Sequence, residues 1–116
     1  MKRQYTLFLR DILEAMERIE RFVGETTFEA FVQDDLLTSA VVRQREVIGE
    51  ATQNIPAAVR KRYPDVPWSS MARMRDRLSH GYWEVDYEIV WKVVREELPA
   101  LRPRREGIYR MESRNG

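Results

Sequence analysis

A chain of 116 residues with a formal net charge of +1, 43% hydrophobic and 34% charged residues can build one hydrophobic core but not two independent ones. Five glycines and five prolines exclude a collagenous or low-complexity chain, and no apolar run approaches the ~20 residues needed to span a bilayer. Met1-Lys2-Arg3-Gln4 leads into a charged amphipathic segment instead of a signal-peptide core, so no membrane association and a cytoplasmic location are expected. The absence of cysteine removes disulfides and thiolate chemistry, and a single histidine rules out a conventional His-rich or Cys-rich zinc site within one chain. Any metal would have to sit on carboxylates, and no cofactor is expected.

Helical periodicity dominates, and no alternating run of β-branched residues is long enough for a sheet, so the predicted class is all-α. The first helix is predicted over 4–23, with Phe8, Ile12, Met16, Ile19 and Val23 on one face and Gly24 ending it. Thr26 or Thr27 caps a short helix over 28–33, and Asp34 caps a long one whose stripe is Leu37, Val41, Ile48, Ala51 and Ile55. Pro56 occupies the first turn of a brief helix reaching about Arg62, and the two prolines of Tyr63-Pro64-Asp65-Val66-Pro67 make a turn. Trp68 opens the next helix, whose apolar face runs through Met71, either Met74 or Arg75, Leu78 and Tyr82. A last helix is predicted over 87–98, ended by Pro99. The predicted layout is a bundle domain over 1–100 and an arginine-rich tail over 101–116, where Arg102, Arg104, Arg105, Arg110 and Arg114 outnumber Glu106 and Glu112. A short charged terminus of this kind reads as solvated in preference to bound to phosphate.

The residues from Met74 to Tyr82 read Met-Arg-Asp-Arg-Leu-Ser-His-Gly-Tyr and carry the only histidine, His80. Imidazole moves protons near neutral pH and guanidinium holds phosphate oxygens, so a histidine beside fixed arginines has the parts for phosphodiester cleavage. On a regular helix Asp76 and His80 stand one turn apart, which lets Asp76 orient the imidazole and favour its protonated form. Arg75 and His80 would be separated by about 140°, a gap that a long arginine side chain bridges.

This segment resembles the HepT-type ribonuclease toxins of the HEPN superfamily, whose hallmark is an arginine, four to six intervening residues and a histidine, followed in this branch by Gly-Tyr. Arg75 to His80 has four intervening residues, and His80-Gly81-Tyr82 supplies the extension. The likeness extends through Ile48-Gly49-Glu50-Ala51, Pro67-Trp68 and the Val85-Asp86 to Trp91 stretch. Two features depart from or blur the pattern. Asp76 stands where the family most often has asparagine, and Arg73 also satisfies the spacing, although the surrounding pattern favours Arg75.

The resemblance implies an antiparallel, HEPN-like bundle of about four main helices with short extra ones. It also implies a homodimer that cleaves RNA without a metal, the two motifs facing each other across a cleft. His80 is then general acid/base, Arg75 the stabiliser of the phosphate and its transition state, and Asp76 the residue that orients His80. Arg73 and Arg77 are the expected RNA-binding cations. In related systems a minimal nucleotidyltransferase antitoxin attaches AMP to the tyrosine of the His-x-Tyr element, so Tyr82 is the implied modification site in a type VII-like toxin-antitoxin pair.

Taken without the resemblance, Arg75 is a packing cation for Glu50 or another carboxylate, His80 a surface or capping group, and Tyr82 a core aromatic. Trp68, Trp83 and Trp91 sit at core spacing more than at base-stacking positions. The competing function is a non-catalytic nucleotide- or substrate-binding subunit of a nucleotidyltransferase, for which the Arg75/His80 pair has no evident use.

Overall fold

The computed structural model describes residues 4–75 and 86–115, and among these the chain is helical without a strand. The helices are α1 (Tyr5–Val23), α2 (Phe28–Gln33), α3 (Asp35–Gln53), α4 (Ala57–Arg62), α5 (Trp68–Ala72), α6 (Tyr87–Lys92) and α7 (Leu98–Asn115), with a π-helical turn at Val93–Glu97 joining the last two.

In α1 the buried positions Leu9, Ile12, Ala15, Met16, Ile19 and Val23 recur every three or four residues, which puts them on one face. Phe8, expected on that stripe, lies at its half-buried edge. The helix stops at Gly24, whose φ of 52° suits a residue without a β carbon, and whose N–H donates to the Glu20 carbonyl at 2.9 Å. The side chains of Thr27 and Asp34 then accept N–H bonds from Ala30 and Leu37, capping α2 and α3. Pro56 precedes α4 in extended backbone, and Asp86 caps α6 by accepting from Glu88 and Ile89.

Three contacts fix the directions of the main helices. Tyr5 at the start of α1 donates to Glu112 near the end of α7 at 2.7 Å, whereas Glu20 near the end of α1 pairs with Arg102 near the start of α7. The two helices are therefore antiparallel. Phe8 of α1 shares a groove with Val47 and Ala51 of α3, so these two are antiparallel as well. Between them lies a core that includes Met16, Ile19, Phe31, Ile48, Met71, Leu98 and Ile108. Trp68 is buried and donates its indole N–H to the Tyr63 carbonyl, and Trp91 packs its ring 5.2 Å from Phe31 and 5.9 Å from Phe28. Trp68 takes the core role that its spacing suggested, and Trp91 packs half-buried against that core.

Pro99 does not end the last helix. The backbone widens at Val93–Glu97, with the Leu98 N–H reaching back to the Val93 carbonyl, and then continues helically through Pro99 and Pro103 to Asn115. A π turn is one of the few irregularities that relieves a proline inside a helix. Within this helix the buried Arg105 side chain donates from Nε to the Leu101 carbonyl and from Nη2 to the Leu98 carbonyl. Burial lowers the Arg105 guanidinium to about 9, with Glu20 and Glu106 pulling in the opposite direction.

The basic segment read as a solvated tail is thus part of the helical packing. Arg102 pairs with Glu20 and Glu106, Arg104 with Asp65 at 2.6 Å, and Arg105 is buried.

Candidate active site

The site begins in the interior of α3, at Gly49. A β carbon there would stand 2.4 Å from the backbone nitrogen of Arg75 and 2.7 Å from its Cβ, far inside van der Waals contact. Glycine is what lets the chain beyond α5 lie directly on α3. Of the two candidates for the core position, Met74 is the buried one, at 8% exposure, and Arg75 turns outward.

The helix expected to run from Trp68 through Arg75 is shorter than its periodicity suggested. α5 ends at Ala72, and residues 73–75 form turns. The angular reckoning from Arg75 to His80 on one regular helix therefore does not hold at its starting point. At the very end of α5, Gln53 Nε2 of α3 donates to the carbonyl of Ala72 at 3.3 Å.

Arg75 is gripped from α3 at two of its three guanidinium nitrogens. Nε lies 3.0 Å from Glu50 Oε2, and Nη1 donates to Gln53 Oε1 at 2.6 Å. The Arg75 and Glu50 side chains are about half exposed, at 47% and 57%, so water screens the pair and its value lies more in direction than in stability. The end of α3 that carries these partners is itself braced. Asn54 Nδ2 donates to the Glu50 carbonyl at 2.9 Å, and the Arg60 guanidinium donates to the carbonyls of Thr52, Gln53 and Ile55 at 3.0 to 3.3 Å. A cation at the carbonyl end of a helix is doubly favoured, by hydrogen bonding and by the helix dipole.

Two grooves open beside this point and differ in charge. One, of about 340 Å³ between α1 and α3, reaches Glu50 and is lined by Asp11, Glu46 and Arg43, the last paired with Glu46. The other, of about 240 Å³, runs from α5 toward the π turn, with Arg73 and Arg45 on its walls together with Ser70 and Glu97. Arg73 and Arg75 thus leave the same turn toward different surroundings, and only Arg75 is held by α3. The sequence spacing had left that choice to the surrounding pattern. Asp76, Arg77, His80 and Tyr82 lie outside the described residues, as do Leu78 and Trp83. Among the described residues, no three His, Cys, Asp or Glu side chains come together as metal ligands.

Sequence reasoning weighed Glu50 as a bland packing partner for Arg75 and did not single out Gln53. Gly49 did leave a signal, because glycine within a helix costs about 0.5–1 kcal/mol relative to alanine and marks a close approach. Gln53 left none.

Comparison with known proteins agrees with this architecture. The family model described as Ribonuclease HepT-like matches residues 12–108. The chain is 47% identical over 102 residues to "Probable ribonuclease HepT" of Thermococcus cleftensis, covering 88% of this chain and 93% of that one. It is 45% identical over 98 residues to "Putative RNase MJ0127" of Methanocaldococcus jannaschii, with 84% and 81% covered. A protein of Caldanaerobacter subterraneus, "Putative RNase TTE0752", is 40% identical over 105 residues, with 90% and 94% covered. No solved structure matches the chain.

Proposed function

The chain belongs to the Ribonuclease HepT-like family and is a ribonuclease, and on that premise we propose that it cuts RNA internally, without a metal, through Arg75 and His80 contributed by both subunits of a homodimer. The observation that carries the reading is the family match across residues 12–108, which spans the whole Arg75 to Tyr82 motif. The grip on Arg75 by Glu50 and Gln53 supports it, since an arginine held at Nε and Nη1 presents Nη2 to a phosphate in a fixed direction.

Cleavage by the substrate's own 2′-hydroxyl needs a base to take its proton, an acid to protonate the departing 5′-oxygen, and a cation against the anionic oxygens of the pentacoordinate phosphorus between them. Each chain has one histidine, so acid and base together call for two chains. In this reading one His80 accepts the proton of the 2′-hydroxyl, which bonds to phosphorus as the bond to the 5′-oxygen breaks. The other His80 delivers a proton to that oxygen. The products are a 2′,3′-cyclic phosphate and a free 5′-hydroxyl. Arg75 stabilises the charge on the non-bridging oxygens, Asp76 orients His80, and Arg73 and Arg77 hold neighbouring phosphates.

The same reading makes the protein a cytoplasmic toxin paired with a minimal nucleotidyltransferase that adds AMP to Tyr82. Phosphates placed beside His80 and Arg75 would occupy the charges RNA needs. Its test is an RNA oligonucleotide and its fully 2′-O-methylated twin, each incubated with the purified protein in EDTA. The reading expects the first to be cut and the second spared; equal cutting of both, or of neither, contradicts it. Mass spectrometry after coexpression with the neighbouring nucleotidyltransferase should find one or more AMP increments on Tyr82, and an unmodified Tyr82 would remove that mode of control.

A further inference from the structure

Gln53 is an exposed neutral residue at the last position of α3, and both ends of its amide are used on the motif side: Oε1 takes the Arg75 Nη1 proton and Nε2 donates to the Ala72 carbonyl. One side chain thereby ties the guanidinium and the backbone three residues before it to the same point on α3. That point is fixed independently, because Arg60 holds the Gln53 carbonyl and Asn54 holds that of Glu50. Gly49 admits the Arg75 backbone to this distance from α3.

We propose that Gln53 is a positioning residue for Arg75, setting the angle at which the guanidinium meets a phosphate while adding no charge of its own. The proposal rests on the reading of Arg75 as the group that meets the phosphate. Glu50 and Gln53 divide the task by charge. A carboxylate at Nε anchors the cation, but a second at Nη1 would leave it flanked by two negative charges and would repel the phosphate. An amide satisfies Nη1 with the same geometry and leaves the positive charge available. An arginine free to swing would lose the directional part of its contribution to the transition state, where small misplacements are costly.

The test compares Gln53→Met, which keeps length and loses both hydrogen bonds, with Gln53→Glu, which keeps an acceptor and adds charge. Gln53→Met should lower kcat/KM about tenfold at an unchanged melting temperature. Gln53→Glu should act chiefly through KM, with a loss that shrinks as salt is raised. In an Arg75→Ala background, Gln53→Met should add no further loss, as expected for a residue that acts through Arg75. NMR of the Arg75 Nη groups, assigned by their disappearance in Arg75→Lys, reads the grip at Nη1 directly and needs no catalysis. Their rotation should be slow in the wild-type chain and faster in Gln53→Met. Equal rotation in both, or losses that multiply in the double variant, overturns the proposal. If the wild-type chain cuts no RNA while Gln53→Met frees the Nη groups, the positioning stands and the nuclease reading of Arg75 falls.

Discussion

Replacing glycine by alanine within an α-helix ordinarily raises stability by about 0.5–1 kcal/mol. At Gly49 the sign should reverse, because the added methyl would meet the backbone of Arg75 at 2.4 Å, and neither α3 nor the turn after α5 can yield without loosening the packing. Gly49→Ala is expected to lower the denaturation midpoint and, by displacing Arg75 from Glu50 and Gln53, to cut RNA cleavage at least tenfold. A midpoint that rises would show that the close approach is not present in solution. The glycine could be noticed in the sequence because it interrupts a helical stripe, but its partner could not, since nothing local links Gly49 to Arg75. Arg75 itself was legible through its distance from His80. Its outward direction was not, because Met74 and Arg75 are both compatible with the apolar face until Met74 is seen to take the buried place.

Among the helices, α7 departs most from its sequence signals. Proline removes a donor and clashes with the preceding turn, so a stop at Pro99 is the ordinary expectation. The backbone instead widens into a π turn before it and carries on, which follows from no local rule. Pro103 is exposed, and Pro103→Ala would restore an N–H for the Pro99 carbonyl. We expect a gain of about 1–3 kcal/mol, read as a higher melting temperature; an unchanged or lower value would mean that the surroundings fully compensate the proline. The far end of α7 is held by Glu112, which is buried and accepts from the hydroxyls of Tyr63 and Tyr5 and from Arg62. Burial pushes its carboxyl up, but the Tyr63 and Tyr5 hydrogen bonds and the Arg62 charge outweigh that and leave it below the ordinary range. A carboxyl lowered on folding contributes stability above its unfolded value, about pH 4.5, and loses it as pH falls through the lower folded value. Glu112→Gln should therefore cost about 1–3 kcal/mol near neutrality and flatten the acid limb of the stability curve below pH 4.5, as measured by urea unfolding. An acid limb as steep as that of the wild type would remove Glu112 from the account.

Across the whole molecule, the all-α class and the positions of α1 to α4 were legible because their periodicity, caps and turn residues agree with one another. The role of the basic C-terminal stretch was not, because its arginines look alike in sequence and differ only in what the fold places opposite them. Arg102 faces Glu20, Arg104 faces Asp65, and Arg105 faces backbone carbonyls. Arg105 is buried and so withdrawn from any ligand, whereas water screens the part-exposed Arg102 and Arg104 pairs, whose value lies more in direction than in stability. Arg73 lines a groove with Arg45 and Glu97, whereas Asp11 and Glu46 line the other one, and under the proposed function an RNA strand leaving Arg75 continues past Arg73. Arg73→Ala should weaken RNA binding several-fold and reduce its salt dependence by about one phosphate contact, with cleavage of saturating substrate little changed. An unaltered salt dependence would place the strand elsewhere. In the proposed reaction the histidine of this motif moves the protons of RNA cleavage beside a fixed arginine. The end groups and rate of RNA cut in EDTA by the wild-type chain and by a folded His80→Ala variant test this. The expected result is 2′,3′-cyclic phosphate ends from the first and a loss of at least about 10²-fold in the second. Equal rates from the two proteins, or 3′-hydroxyl ends from the wild type, would contradict it.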